Sequence, residues 1–177
     1  MSSPDTHTFK YDSANETLEN TLLGVRVMVL DTDFIKAIGS SLTKTYHTGA
    51  VVILYQMGLA YGELLGQRIL ESGGLGKQTQ LEYRRRYASL AIGKFQFPSL
   101  AALAATESPT QVTVTLRDSF FARALGRTGQ PECHIVRGLL EGTAKVIFKK
   151  EYECHEVRCI SRGDELCEFV IFPHPQA

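Results

Sequence analysis

The chain has 177 residues, of which 44% are apolar and 21% charged, the balance of a globular domain and not of a disordered one. That length buries a core without cross-links. Nineteen basic residues against nineteen acidic ones leave a formal net charge of zero, which argues against a nucleic-acid binder built on phosphate contacts.

The opening residues are polar, so residues 1–20 are expected to form a flexible segment ahead of one domain spanning 21–177. Val25, Val27 and Val29 alternate in Gly24–Thr32 and predict a strand. Asp31-Thr32-Asp33 supplies a helix N-cap, after which Phe34, Ile35, Ile38 and Leu42 recur at helical spacing. Thr48–Ser72 is the strongest helix pattern and is apolar nearly all round in its first half, so that half is expected to be buried. Its glycines at 49, 58, 62 and 66 each cost about 1 kcal/mol against alanine inside a helix. They point to close approach of another backbone or of a ligand.

Gln80–Phe95 reads as an amphipathic helix, its Arg84-Arg85-Arg86 a solvated face, and 97–110 as a short helix and a break. Val112, Val114 and Leu116 alternate and predict a strand. A loop over 126–132 leads into a helix from Cys133, with Ile135, Leu139, Leu140, Ala144 and Ile147 inward. Two final strands flank a turn with Gly163 and make a C-terminal hairpin. Strands not each separated by a helix favour α+β, an antiparallel sheet packed against helices, over a doubly wound parallel sheet.

Nowhere do about 18 apolar residues run uninterrupted, and the N-terminus lacks a basic-then-apolar signal pattern. A cytoplasmic protein without a transmembrane segment is therefore expected. In a reducing cytosol, cysteines serve as thiols or metal ligands more than as disulfides. Three of the four, Cys154, Cys159 and Cys167, fall between Glu153 and Phe169 beside His155, Glu156 and Asp164. Cys159 and Cys167 flank the hairpin turn and come close enough to share a metal or to form a disulfide. Cys133, at a helix N-terminus that favours the thiolate, is placed to dock on the hairpin end.

The run "GLLEG…E..C.S.GDELCEF" resembles the 4-vinyl reductase domain family. Its relatives include the aromatic-sensing domains of phenol- and xylene-responsive activators and Golgi-transport (TRAPP-like) subunits. The resemblance is strongest from Cys133 to Phe172 and extends to "ILYQMGLAYG" in the long helix. It implies structural zinc held by Cys133, Glu156, Cys159 and Cys167, at intervals of 23, 3 and 8. The zinc would clamp the C-terminal helix to the hairpin, leaving Cys154 a free thiol. Residues i and i+3 on a regular strand face opposite ways, so Glu156 and Cys159 meet one ion only if the strand bulges. Otherwise His155, Asp164 or water takes the fourth position. Metal-free thiols, a Cys159–Cys167 disulfide and a catalytic zinc are the competing readings. The last is disfavoured because three thiolates make zinc a poor Lewis acid and the glutamate closes the site.

The same resemblance implies a small-molecule sensor or carrier for an apolar, aromatic or tetrapyrrole-type ligand. Tyr55, Tyr61, Phe120, Phe121 and His134 are the candidate pocket residues; core packing explains the same aromatics, and an exposed helix position the histidine. Relatives pair through helices, so a homodimer or a protein partner for signalling or assembly is open. A scaffold role, or an accessory role in chlorophyll-type pigment synthesis, is the alternative. Direct reductase chemistry is not expected, because the chain carries no nucleotide-binding fingerprint.

Overall fold

The computed structural model describes residues 9–21, 24–71, 90, 92–96 and 111–174. Among these, three short strands, β1 (Phe9–Asp12), β2 (Thr17–Asn20) and β3 (Val25–Val27), form an antiparallel sheet in sequential order. Helices α1 (Thr32–Tyr46) and α2 (Gly49–Glu71) follow. A second sheet contains β4 (Lys94–Gln96), β5 (Val112–Arg117), β6 (Tyr152–Arg158) and β7 (Cys167–Pro173) in the order β4-β5-β7-β6, every pairing antiparallel. Between β5 and β6 lie the short helix α3 (Phe120–Leu125) and the long helix α4 (His134–Phe148). The fold is α+β, as the unseparated strands predict.

Several local expectations hold. Asp31 caps α1, its carboxylate accepting from the Phe34 amide at 2.8 Å. The C-terminal hairpin forms, with Cys154 opposite Ile171 and Glu156 opposite Phe169. Three expectations need correction. The segment 1–20 is not uniformly flexible, since β1 and β2 pair within it from Phe9↔Asn20 to Asp12↔Thr17. Asp12 closes their turn through Ala14 and Asn15, and polar composition hid that pairing. Residues 94–96 are strand, because Phe95 pairs with Leu116 and enters the core; residues 80–89 and 97–110 lie outside the described residues.

The third correction concerns α2. Its first half is not enclosed: Val51, Val52 and Met57 are exposed. The buried face is instead the small-residue face of Ala50, Gly58, Gly62 and Gly66, joined by Leu65 and Ile69. It packs along α4, whose own Gly138 and Gly142 face it. A Cβ on Gly58 or Gly62 would sit closer than 3.0 Å to the carbonyl of Ile135 or Leu139. On Gly138 or Gly142 it would strike the backbone of Tyr55 or Leu59 just as hard. Backbone therefore meets backbone, and the glycines serve helix packing. Thr143 seals the seam by donating to the carbonyls of Leu139 (2.7 Å) and Gly62 (3.2 Å). By length and composition α2 is long and apolar enough to cross a membrane, despite the glycines and polar residues that interrupt its apolar run.

The core joins the inner face of the second sheet to α4 through Val114, Leu116, Phe169, Val136, Leu139 and Leu140, with Leu65 and Ile69 from α2. This pins the N-terminus of α4 against the hairpin end, where the cysteines converge.

Candidate metal centre and apolar cavity

Cys133 is the N-cap of α4, Glu156 lies late in β6, Cys159 follows that strand, and Cys167 opens β7. One ligand atom from each lies within 4.8 Å of the others, and the three cysteines are fully buried. The register of β6 against β7 shifts between Glu156 and Arg158. That irregularity is the bulge which lets residues three apart turn to one side.

Cys133 Sγ is 3.6 Å from Cys167 Sγ, which is 3.9 Å from Cys159 Sγ. Donors placed about 2.3 Å from a central ion at tetrahedral angles leave sulfurs about 3.8 Å apart. One Glu156 oxygen accepts the Cys133 amide at 3.1 Å, while the other, Oε1, is buried without a hydrogen-bond partner. Burial, then the neighbouring Cys159, pushes this carboxyl up to about 8. Cys133 and Cys167 both donate toward Cys159 and hold its thiol far below the ordinary range, while giving that bond raises Cys133. The cluster thus concentrates negative charge and leaves a buried oxygen unsatisfied, a donor set that fits a divalent cation. This Cys/Glu group could hold a metal ion.

The alternative fourth ligands are placed elsewhere. Asp164 accepts the Cys159 amide at 2.8 Å and pairs with Arg162, so it braces the loop. His155 projects from the opposite face of β6, where it meets Glu153 and the Phe172 ring. Cys154 is a buried free thiol outside the cluster, its amide donating to Glu141.

Beyond α3 a cavity of about 610 Å³ opens between the first sheet, the helices and the edge of the core. Leu18, Val25, Val27, Ile35, Tyr61, Leu90, Ile92, Phe120, Phe121, Ile135 and Leu139 line it, with Asn20 among them, and no charged side chain does so among the described residues. Of the five pocket candidates, Tyr61, Phe120 and Phe121 are in its wall. Tyr55 is not: its hydroxyl donates to Glu141 while Arg137 lies 4.6 Å over its ring, so it belongs to the polar seam of α2 and α4. His134 is not in the wall either; it lies 4.0 Å from Glu132, and burial lowers its pKa. Sequence reasoning missed the walls from β1–β3 and α4. The alternation of Val25 and Val27 marked a strand, but periodicity does not say what its apolar face covers.

Residues 112–173 match the family model for the vinyl-4-reductase domain, the type that the cysteine run resembles. An uncharacterized protein of Methanocaldococcus jannaschii is 28% identical over 61 residues, covering 34% of this chain and 35% of that one. The chain therefore spans about a third of the length of the curated relative it matches. The phenol-responsive sensory domain of the transcription activator PoxR, solved with phenol, superposes with a TM-score of 0.72 at 16% identity over 94% of this chain and 85% of that one. A trafficking protein particle complex subunit 3 from Naegleria fowleri, covalently bound to palmitic acid, gives 0.51 at 16% identity over 81% and 95%. The chain thus shares its fold with a sensory domain and with a trafficking-complex subunit.

Proposed function

We propose that the protein is a small-molecule-binding module, a sensor or carrier, that holds a neutral apolar or aromatic ligand in the cavity bordered by Phe120 and Phe121. The carrying observation is the cavity itself. Its volume lies within the roughly 300–1,000 Å³ of small-molecule pockets, and its described walls are apolar with no charge. Such a site binds by removing apolar surface from water, about 25 cal/mol per Å². It penalises a charged ligand that would leave its counterion behind. Likeness in fold to a domain solved with phenol supports the reading; a tetrapyrrole-type ligand is its larger variant.

In the same reading the Cys133–Glu156–Cys159–Cys167 group holds zinc. Three thiolates with one carboxylate suit a borderline-soft tetrahedral ion, and four protein ligands leave no open position for substrate. The zinc would tie α4 to the hairpin, so its task is structural. The domain works inside the cell, where the thiols stay reduced.

A second reading rests on a separate observation. Phe34 and Tyr46 of α1 and Val52, Met57 and Leu64 of α2 are exposed, and α1 buries no residue. Helix faces of this kind serve protein contacts, here a second copy or an assembly partner. The two readings separate by experiment. Thermal-shift measurements with naphthols, phenolics and porphyrins should raise the melting temperature of the full chain if the cavity is used. No shift across that panel, with a stable dimer by light scattering, would favour assembly.

A further inference from the structure

We infer that helix α3 carries the state of the metal centre to the cavity, with Ser119 and Ser161 as the positioning residues. This rests on the cavity and metal readings above and adds that the two sites are energetically linked.

Ser119 is fully buried and caps α3, its Oγ accepting the Ala122 amide at 3.4 Å. The same Oγ lies 3.2 Å from Cys133 Sγ. A metal-bound thiolate can only accept, so the hydroxyl proton is committed to sulfur and a lone pair to the helix end. A neutral thiol can donate or accept, and that commitment is lost. Ser161, also buried, sits in the turn between Cys159 and Cys167. It donates to the Ala122 carbonyl at 3.2 Å. Its own carbonyl accepts from Thr128 and Gly129, both at 3.1 Å, in the segment joining α3 to α4.

The short helix is therefore tied to the metal centre at its cap and again at Ala122. Between these ties stand Phe120 and Phe121, an edge-to-face pair with centroids 5.9 Å apart that forms one wall of the cavity. Ile135, two residues beyond Cys133, adds to the wall. Displacing the ligand cluster must move these rings or break buried hydrogen bonds. Affinity for an apolar ligand and retention of metal then rise together, by the same factor in each direction.

The test uses the full chain, zinc-loaded and chelator-stripped, titrated with the neutral fluorophore N-phenyl-1-naphthylamine. Wild type should lose about tenfold in probe affinity on stripping, a mid-range coupling. Saturating probe should slow chelator-driven zinc release to match. Ser119→Ala should keep zinc near one per chain when loaded, yet shrink the loaded-to-stripped ratio below about threefold; Ser119→Thr should restore it, and Ser161→Ala should shrink it as well. Thr143→Ala removes a buried hydroxyl outside this route and should leave the ratio intact, so if Ser119→Ala fails to fold, Ser161→Ala against Thr143→Ala carries the comparison. Equal affinities for loaded and stripped wild type, or an undiminished ratio in folded Ser119→Ala, would overturn the inference. Failure of loaded wild type to bind probe refutes the cavity reading, and failure to take up zinc refutes the metal reading. Either removes the inference too, but each is read separately.

Discussion

The metal cluster and the cavity lie on the two sides of α3 and follow opposite rules. The cluster is closed and buried, and all four of its residues fall between 133 and 167. Each position demands one chemistry: a thiolate, or a carboxylate with an oxygen to spare. The cavity is apolar and assembled from β1 through α4, and any side chain of suitable size and greasiness can serve at most of its positions. The first region should therefore fail abruptly on substitution, and the second should degrade by degrees or respond to charge.

The largest expected effect breaks the cluster. Cys159→Ser should leave less than about a tenth of the wild-type zinc by elemental analysis. It should also cost about 4 kcal/mol where free zinc stands near a thousand times its dissociation constant. Zinc content unchanged in that variant would remove Cys159 from the donor set. Gly62→Ala comes next, because it acts on the seam that supports both regions. Its new methyl would meet the Leu139 carbonyl, and the strain should cost about 3 kcal/mol, or roughly 10 °C in melting temperature for a chain of this size. A calorimetric midpoint within a degree of wild type would show that α2 and α4 are not so closely seated.

The cavity responds to a different perturbation. Val27→Glu puts a charge into the apolar wall and should weaken binding of a neutral aromatic at least about tenfold, close to 1.4 kcal/mol, while zinc stays near one per chain. Affected zinc and unaffected binding would reverse the assignment. The smallest effect sharpens the boundary of the pocket. Tyr55→Phe should cost about 1.5 kcal/mol through the lost bond to Glu141, with probe affinity unchanged. A clear loss of affinity would put Tyr55 back in the wall.

Legibility in the sequence followed the same division. Cys133, Glu156, Cys159 and Cys167 were readable because thiols and a carboxylate at fixed intervals are scarce, and the resemblance to zinc-binding sensors assigned them. The bulge beyond Glu156 was posed by the sequence as a condition, and only the strand register met it. Of the cavity, Phe120, Phe121 and Tyr61 were readable as aromatics. Tyr55 and His134 were not separable from them, since a neighbouring Glu141 or Glu132 decides which way a polar tip turns. The walls from β1–β3 were hidden because apolar strands announce burial without naming what they cover. The glycines of α2 were legible as close approach, and Gly138 and Gly142 identify the partner as α4.

The most direct test of the central claim, an uncharged apolar ligand held in this cavity, is a titration of the zinc-loaded full chain with 2-naphthol, followed by calorimetry, in wild type and in Val27→Glu. The account predicts saturable one-to-one binding by wild type and at least about tenfold weaker binding by the variant. Absence of binding to 2-naphthol and to larger neutral aromatics, or equal binding by both proteins, would contradict it.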